Sequence, residues 1–445
     1  MTAALASAGA RVSPASLLPV YLFELTKLLT LWRIRLVLLT CLIAPGCFVA
    51  AISAQSSLPT DTVFGRWMHT SGWAGSLVVL AFACSWGLPL LTSLVSGDAF
   101  AAEDRLGTWR HLLVAVRSRR RIFVSKALAS VTVIVVMVAS LGFSGIAGGL
   151  VVSGSNPLVG LDGHTLAPGE AARVVLVAWL CVLAPMLAFA AIGLLGSVVL
   201  GRSPMGLLVP ALLALAMNLV LLLPVPVAVR LALPSNAFLA WRGLFTSPAQ
   251  TEALLIGVAV SLVWTVVATG LAYLLFVRRD LTDLAHDGAG RRAVVTATLP
   301  LAALVVVTVL AVAAVSPSRG SGIDRGRVEA SLSTAYAHLY RLQTEQLHRP
   351  SVTDAALRAS SSCDKGGSRV VDRGPGNDWR CIVSWRLPGS TAVGSATYQL
   401  DVTAEGRYVA DGDGPKEVNG SFTVRTSSGD APNPLWQFDG YVDLL

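Results

Sequence analysis

Between Ser96 and Lys126 the chain packs ionisable side chains closely: Asp98, Glu103, Asp104 and Arg105 come first, then Arg110, His111, Arg117, Arg119, Arg120, Arg121 and Lys126. Acids at the start of a helical run and bases at its end suit the helix dipole. Leu106, Trp109, Leu112 and Leu113 add an apolar face, and Gly107 permits close approach of a second backbone. The chemistry such a pattern serves is ionic and apolar docking rather than bond breaking. It fits an element that seats in a groove of a soluble partner and passes motion to the segments on either side. For Arg117–Arg121 alone, a basic cluster that only anchors topology fits equally well. The stretch Glu103 to Thr108 gains nothing from such anchoring, because acids do not contribute to it.

Chemistry of other kinds is missing. All six histidines (His69, His111, His164, His286, His338, His348) fall in expected loops or in the C-terminal part. The long apolar runs hold no acid or base, so the ionisable relay of an ion-coupled transporter is absent from them. Nor do they offer an intramembrane hydrolase its nucleophile with a base or metal. No Gly-x-x-x-x-Gly-Lys-Ser/Thr phosphate loop occurs. The expectation is a chain with no catalytic residue, no metal and no cofactor of its own. If it moves anything uphill, it must borrow its energy.

The elements that position the charged loop follow from composition. Of 445 residues 54% are hydrophobic and 13% charged, against about 25% charged in a soluble domain. Seven charge-free runs, 36–60, 67–97, 127–161, 174–201, 203–229, 253–277 and 293–318, each exceed the roughly 20 residues a helix needs to cross a bilayer. With the N-terminus in the cytoplasm, the inner segments hold sixteen Lys and Arg and the outer loops four, the asymmetry of the positive-inside rule. Residues 319–445 then lie outside. The net charge of +8 resides in the membrane half, since the C-terminal part holds 14 bases and 15 acids. The basic balance therefore reads as topology, not as nucleic-acid binding.

Four domains are expected. Residues 1–35 form a cytoplasmic N-terminal segment whose amphipathic helix, carrying Glu24 and Lys27, lies in the inner interface with Trp32 at headgroup depth. Residues 36–277 hold six spans, with the charged loop at 98–126. Within them 223–248 is too apolar for a solvated loop and too rich in proline to span; it reads as a re-entrant outer segment, short helices or a re-entrant hairpin at the outer membrane face, anchored at the interface by Trp241 and Phe245. Residues 278–318 are a loop and a seventh span. Residues 319–445 read as an α+β domain, with an amphipathic helix over 323–348 and strands over Trp379–Leu387, Ala396–Ala404, Arg407–Ala410, Ser421–Thr426 and Leu435–Val442 in one antiparallel sheet. Cys363 and Cys381 lie there 18 residues apart, and an oxidising compartment would join them as a disulfide.

The charged loop and its surroundings resemble the membrane subunits of ABC-2 type exporters, the permeases of ATP-binding cassette transporters. That family carries Glu-x-x-x-Gly-Thr, then paired leucines, a Ser-Arg pair and a Lys before the third span. The matching positions are Glu103, Gly107, Thr108, Leu112, Leu113, Ser118, Arg119 and Lys126. A proline often precedes the Ser-Arg pair; Arg117 stands there. The resemblance covers about residues 13–277. It implies a six-helix ABC-2 type core with re-entrant helices between spans five and six, and leaves the seventh span and the C-terminal domain unaccounted for. It implies that Glu103, Asp104, Arg105, Gly107, Thr108, Trp109, Leu112, Leu113, Arg119 and Lys126 belong to an ATPase-coupling element. It also implies a second permease subunit, as homodimer or related heterodimer, and two copies of a separate ATPase that bind the ATP and Mg. Spans one, two and five would wall a substrate cavity, for which Phe82, Ser85, Trp86, Met217 and Asn218 are the candidates.

The functional expectation is a multi-pass permease subunit in the plasma (inner) membrane, in contact with lipid and exporting an amphiphilic or hydrophobic substrate such as a drug, lipid or envelope precursor. The alternative is a membrane-anchored sensor or envelope-organising protein whose outer domain binds a ligand.

Overall fold

A computed structural model of the chain describes residues 16–55, 71–201, 205–279, 291–316, 320–367, 370–427 and 429–445. The first part is helical: α1 Leu17–Thr30, α2 Trp32–Ser53, α3 Gly72–Phe82, a π-helical turn at Ala83–Gly87, α4 Leu88–Ser96, α5 Ala101–Leu106, α6 Trp109–Val116 and α7 Arg119–Ser153. A two-stranded hairpin follows, β1 Leu158–Val159 with β2 Thr165–Leu166. Next come α8 Pro168–Cys181, α9 Leu183–Leu200, α10 Met205–Leu222, the short α11 Val227–Leu231 and α12 Pro234–Ala237, a 3-10 turn at Ala240–Phe245, α13 Glu252–Arg278 and α14 Arg291–Val315.

Among the described residues five helices are long and apolar enough to cross a membrane: Trp32–Ser53, Arg119–Ser153, Pro168–Leu200, Glu252–Arg278 and Val294–Val315. The chain thus has the make-up of a multi-pass membrane protein. A sixth candidate is the pair Gly72–Ser85 and Leu88–Leu106, bent by 59°. The expected run 203–229 appears as a shorter apolar helix, Leu208–Leu222. It stops there because Pro224 and Pro226 supply no backbone donor to carry the ladder on.

The expected helix over 13–35 is divided. Its described part is α1, which ends where Leu31 turns extended (φ −68°, ψ 121°), and Trp32 then opens α2 with 76% of its surface exposed. α1 lies along α7, where the hydroxyls of Tyr21 and Thr132 meet at 2.9 Å. α2 packs on the other half of α7, and the Gly46 amide donates to Ser144 Oγ at 3.0 Å. The segment 223–248 consists of short helices as expected, but Trp241 and Phe245 are not surface anchors. Both are buried in the main apolar core, ring to ring at 5.8 Å.

The C-terminal region carries α15 Arg325–Gln346, α16 Asp354–Leu357 and strands β3 Ser360–Lys365, β4 Gly376–Arg386, β5 Val393–Val402, β6 Arg407–Gly412, β7 Thr423–Thr426, β8 Gly429–Pro432 and β9 Gln437–Tyr441. Asp324 caps α15 by accepting from the Arg327 amide at 3.1 Å, as an N-cap aspartate does. Val328, Leu332, Ala335 and Leu339 form the expected buried stripe, facing a sheet of order β3-β4-β5-β6-β9. Cys363 and Cys381 stand opposite each other on β3 and β4 and form a disulfide. The sheet differs from expectation in two places. β3 was not anticipated, because Ser360-Ser-Ser-Cys-Asp-Lys365 has no apolar alternation and is held in place by its partners. The 421–426 strand is not part of the main sheet, since β7 pairs only with β8 in a separate hairpin.

This region rests on the helical body. Arg242 pairs with Glu405 across the junction. The Val227 amide donates to Gly320 O at 2.8 Å, Gln250 Nε2 to Tyr441 O at 3.3 Å, and Leu444 and Leu445 pack on the main helical core.

Candidate functional site

The charged loop folds into two short helices at one end of the bundle. α5 opens on two backbone amides, Phe100 N and Ala101 N, which donate to Ser197 Oγ of α9 at 2.9 Å each. A neighbouring helix thus satisfies donors that a six-residue helix cannot satisfy itself. Gly107 closes α5 in the left-handed region (φ 68°), and a Cβ there would meet nothing within 4 Å. Within the chain it serves the turn, and the space beside it is open. Arg117 closes α6 in the same conformation (φ 55°), and Ser118 Oγ then accepts from the Arg121 amide at 3.4 Å to start α7.

At the centre is Lys126, whose side chain is 4% exposed. Its ammonium donates to Glu24 Oε2 at 2.9 Å and to Glu103 Oε1 at 2.8 Å, and these carboxylates are 4% and 2% exposed. Lys27 and Thr108 also donate to Glu103. One ammonium on α7 thereby ties α1 to α5. It also lies 6.0 Å from the ring centroids of Phe100 and Trp109, within cation–π range. Buried charges on this scale survive only when paired and hydrogen-bonded. Two similar contacts flank the centre. Asp98 takes Arg33 of α2 at 2.6 Å and also binds Arg105. Asp104 accepts both guanidinium branches of Arg279, at 2.6 and 2.9 Å, and Trp109 Nε1 at 2.7 Å. Arg119 donates to Val277 O and Arg279 O, at 2.7 and 2.9 Å, beside the end of α13.

Under these ion pairs Phe100, Trp109, Phe123 and Phe276 form a ring cluster, with Phe100 and Phe276 centroids 5.0 Å apart. Trp109, Leu112 and Val116 face this cluster, and Leu113 packs against it half-buried. That corrects the expectation of an apolar face turned outward: Trp109 and Leu112 point into the body, and so do Glu103 and Asp104. The outward edge is Arg105, Leu106, Gly107, Arg110, His111, Val114 and Arg117, with Leu106 69% and Val114 72% exposed. Eight residues make barely two turns, too few for periodicity to assign a face. The burial of Trp109 is decided by Phe100 of the same loop and by Phe276, far away in sequence.

No motif in the sequence pairs Asp98 with Arg33 or marks Arg279 and Ser197 as part of this site. A carboxylate that must be buried needs a base, and the pair Arg278-Arg279 follows the apolar run of α13; that is the available signal. Ser197, in a charge-free helix, carried none.

The expected cavity residues are partly brought together. The Asn218 amide donates to Ser85 O at 3.3 Å, a carbonyl within the π-helical turn, and such turns displace the ordinary helix ladder. Phe82, 56% exposed, stacks edge-on against Phe48 at 5.6 Å, and Ser85 is exposed. Met217 is different: it is buried in the main core and lines no open surface. The Trp86 side chain lies outside the described residues. Among the described residues no group of three or more His, Cys, Asp or Glu is placed to hold a metal ion. No protein-family model matches the chain, and no curated protein matches it.

Proposed function

We propose that this chain is the permease subunit of an ATP-driven exporter of the ABC-2 type. It would move an amphiphilic or hydrophobic substrate outward, two membrane subunits working with two copies of a separate ATPase. On this reading the N-terminus and the α5–α6 loop are cytoplasmic, the C-terminal domain is outside, and the spans number seven. The bent pair α3–α4 and the short α10 would count as the second and fifth.

The observation that carries the reading is the contrast between the two sides of α6. Its inner side, together with that of α5, is locked to three other helices: Glu103 binds Lys126 of α7, which also holds Glu24 of α1, Asp104 binds Arg279 at the end of α13, and the ring of Trp109 packs on Phe100 and on Phe276 of α13. Its outer edge offers Arg110, His111, Val114 and Arg117 to solvent. A push on that edge cannot be absorbed locally, because each inner contact is a directional ion pair or a packed ring and would have to break first. A lever of this kind suits coupling to a motor that lies elsewhere. Its basic, partly apolar edge matches an acidic cleft on the motor. The ATP and Mg belong to that motor, the lipid to the helix faces, and nucleic acid has no place.

Co-purification from the native membrane in mild detergent tests this. The expected result is an ABC-type ATPase at about one copy per chain, lost from Arg110→Glu/Val114→Asp by roughly tenfold or more, as a hot-spot substitution would do, while the variant inserts normally. Transport by the purified single chain, or a native complex without any nucleotide hydrolase, overturns the proposal.

A further inference from the structure

Away from the charged loop, the hairpin β1–β2 meets α15 of the C-terminal domain around one buried carboxylate. Asp162, 7% exposed, sits at the hairpin tip. Its Oδ1 accepts from His164 Nδ1, and its Oδ2 accepts the Ser247 amide at 2.7 Å. From α15, His338 places Nδ1 3.1 Å from Asp162 O and 3.4 Å from Asp162 Oδ2. Its other nitrogen, Nε2, lies 3.5 Å from Asp354 Oδ2 of α16. The hairpin tip is flush with the helix: Gly163 takes φ 81°, and a Cβ there would fall 2.5 Å from Leu339 Cγ.

Both ring nitrogens of His338 therefore face oxygen acceptors. A neutral imidazole has one donor and would set a lone pair against the other acceptor; an imidazolium donates on both sides. We propose that His338 is the proton-operated latch between the C-terminal domain and the helical body, closed when the ring is charged and loosened when it is neutral.

The neighbouring charges agree. Asp162 and His164 face the ring from the hairpin and Asp354 from α16. Arg341 of α15 binds Asp354 at 3.1 Å, Tyr408 of β6 is near enough to feel the charge of Asp162, and Glu170 and Arg173 of α8 stand across a cleft. From the 240–251 segment the contact is the uncharged Ser247 amide. Burial raises Asp162, but hydrogen bonds from His164 and His338, the charge of His164 and the Ser247 amide hold it well below the usual carboxylate range. It is thus an anion throughout the range in which histidine titrates. Burial also pulls His338 down, but the hydrogen bond and charge of Asp162 with the charge of Asp354 outweigh it, so His338 titrates above an ordinary histidine. A group raised in the docked state contributes docking stability that is full below its undocked value of about 6.5 and is lost as pH climbs through the docked value. The cleft, about 540 Å³ and lined by His164, His338 and Asp354, admits water and protons to the latch.

Hydrogen exchange on the full chain in lipid nanodiscs, corrected for the intrinsic pH dependence of exchange, tests this without requiring a substrate or the transport reading. Protection of 158–166 and of the α15 face should fall at least about threefold between pH about 5.5 and about 8.5, a range that brackets histidine titration, while β4 and β5 stay constant. His338→Gln should flatten that response, and His164→Gln should leave it. Should His338→Gln unfold the sheet, Asp354→Asn decides instead by moving the transition to lower pH. A wild-type protein with flat protection, a pH response that survives His338→Gln, or an unmoved transition in Asp354→Asn overturns the latch.

Discussion

Lys126→Met is the sharpest perturbation that the charged loop offers. The lysine ammonium is shared between Glu24 and Glu103, and all three side chains are at most 4% exposed. Its removal does not affect the two carboxylates equally. Glu103 keeps Lys27 and Thr108. Glu24 has Oε1 without a partner already, and Lys126 holds its Oε2; without Lys126 it becomes a buried charge with nothing to face. Breaking a buried pair from one side costs about 3–5 kcal/mol, most of it the penalty of the stranded partner. Glu24→Gln should cost less, because Lys126 retains Glu103. The decisive comparison is the double variant Lys126→Met/Glu24→Gln, which removes the stranded charge along with its cause. It should be more stable than Lys126→Met alone, with a coupling of about 1–3 kcal/mol between the two sites. Urea unfolding of the detergent-solubilised chain, followed by tryptophan fluorescence, reads this directly. If Lys126→Met loses less than about 1 kcal/mol, or if the two substitutions simply add, the charge network does not hold the loop to the bundle.

Two further outcomes follow from local geometry. Gly107→Val places a branched side chain at φ 68° with no steric neighbour, so its cost should be the backbone term alone, about 1–2 kcal/mol, visible as a lowered midpoint with an unchanged slope. Cys363→Ser/Cys381→Ser opens an 18-residue separation between β3 and β4 and should destabilise the C-terminal domain by about 2–4 kcal/mol; the native thiols should resist alkylation until reduced.

Much of this molecule was legible from its residues alone. The apolar runs had to be helices, because in lipid every backbone group must find its partner within the segment, and length and composition state that locally. The turn that joins β5 to β6 at Glu405-Gly406, with Gly406 at φ 89°, the α15 stripe and the Cys363–Cys381 pairing are likewise short-range or combinatorially simple. Pairings between distant segments were not legible. Glu103 and Asp104 read as a docking surface from the sequence and became interior charges only once Lys126, Glu24 and Arg279 were brought to them. The Asp162–His338 contact joins positions 176 apart, a separation over which periodicity and propensity say nothing. A residue's type states what it needs, a partner for a charge or a cover for a ring. Packing alone decides which distant residue supplies it, and therefore which face of a two-turn helix is left for something else to hold.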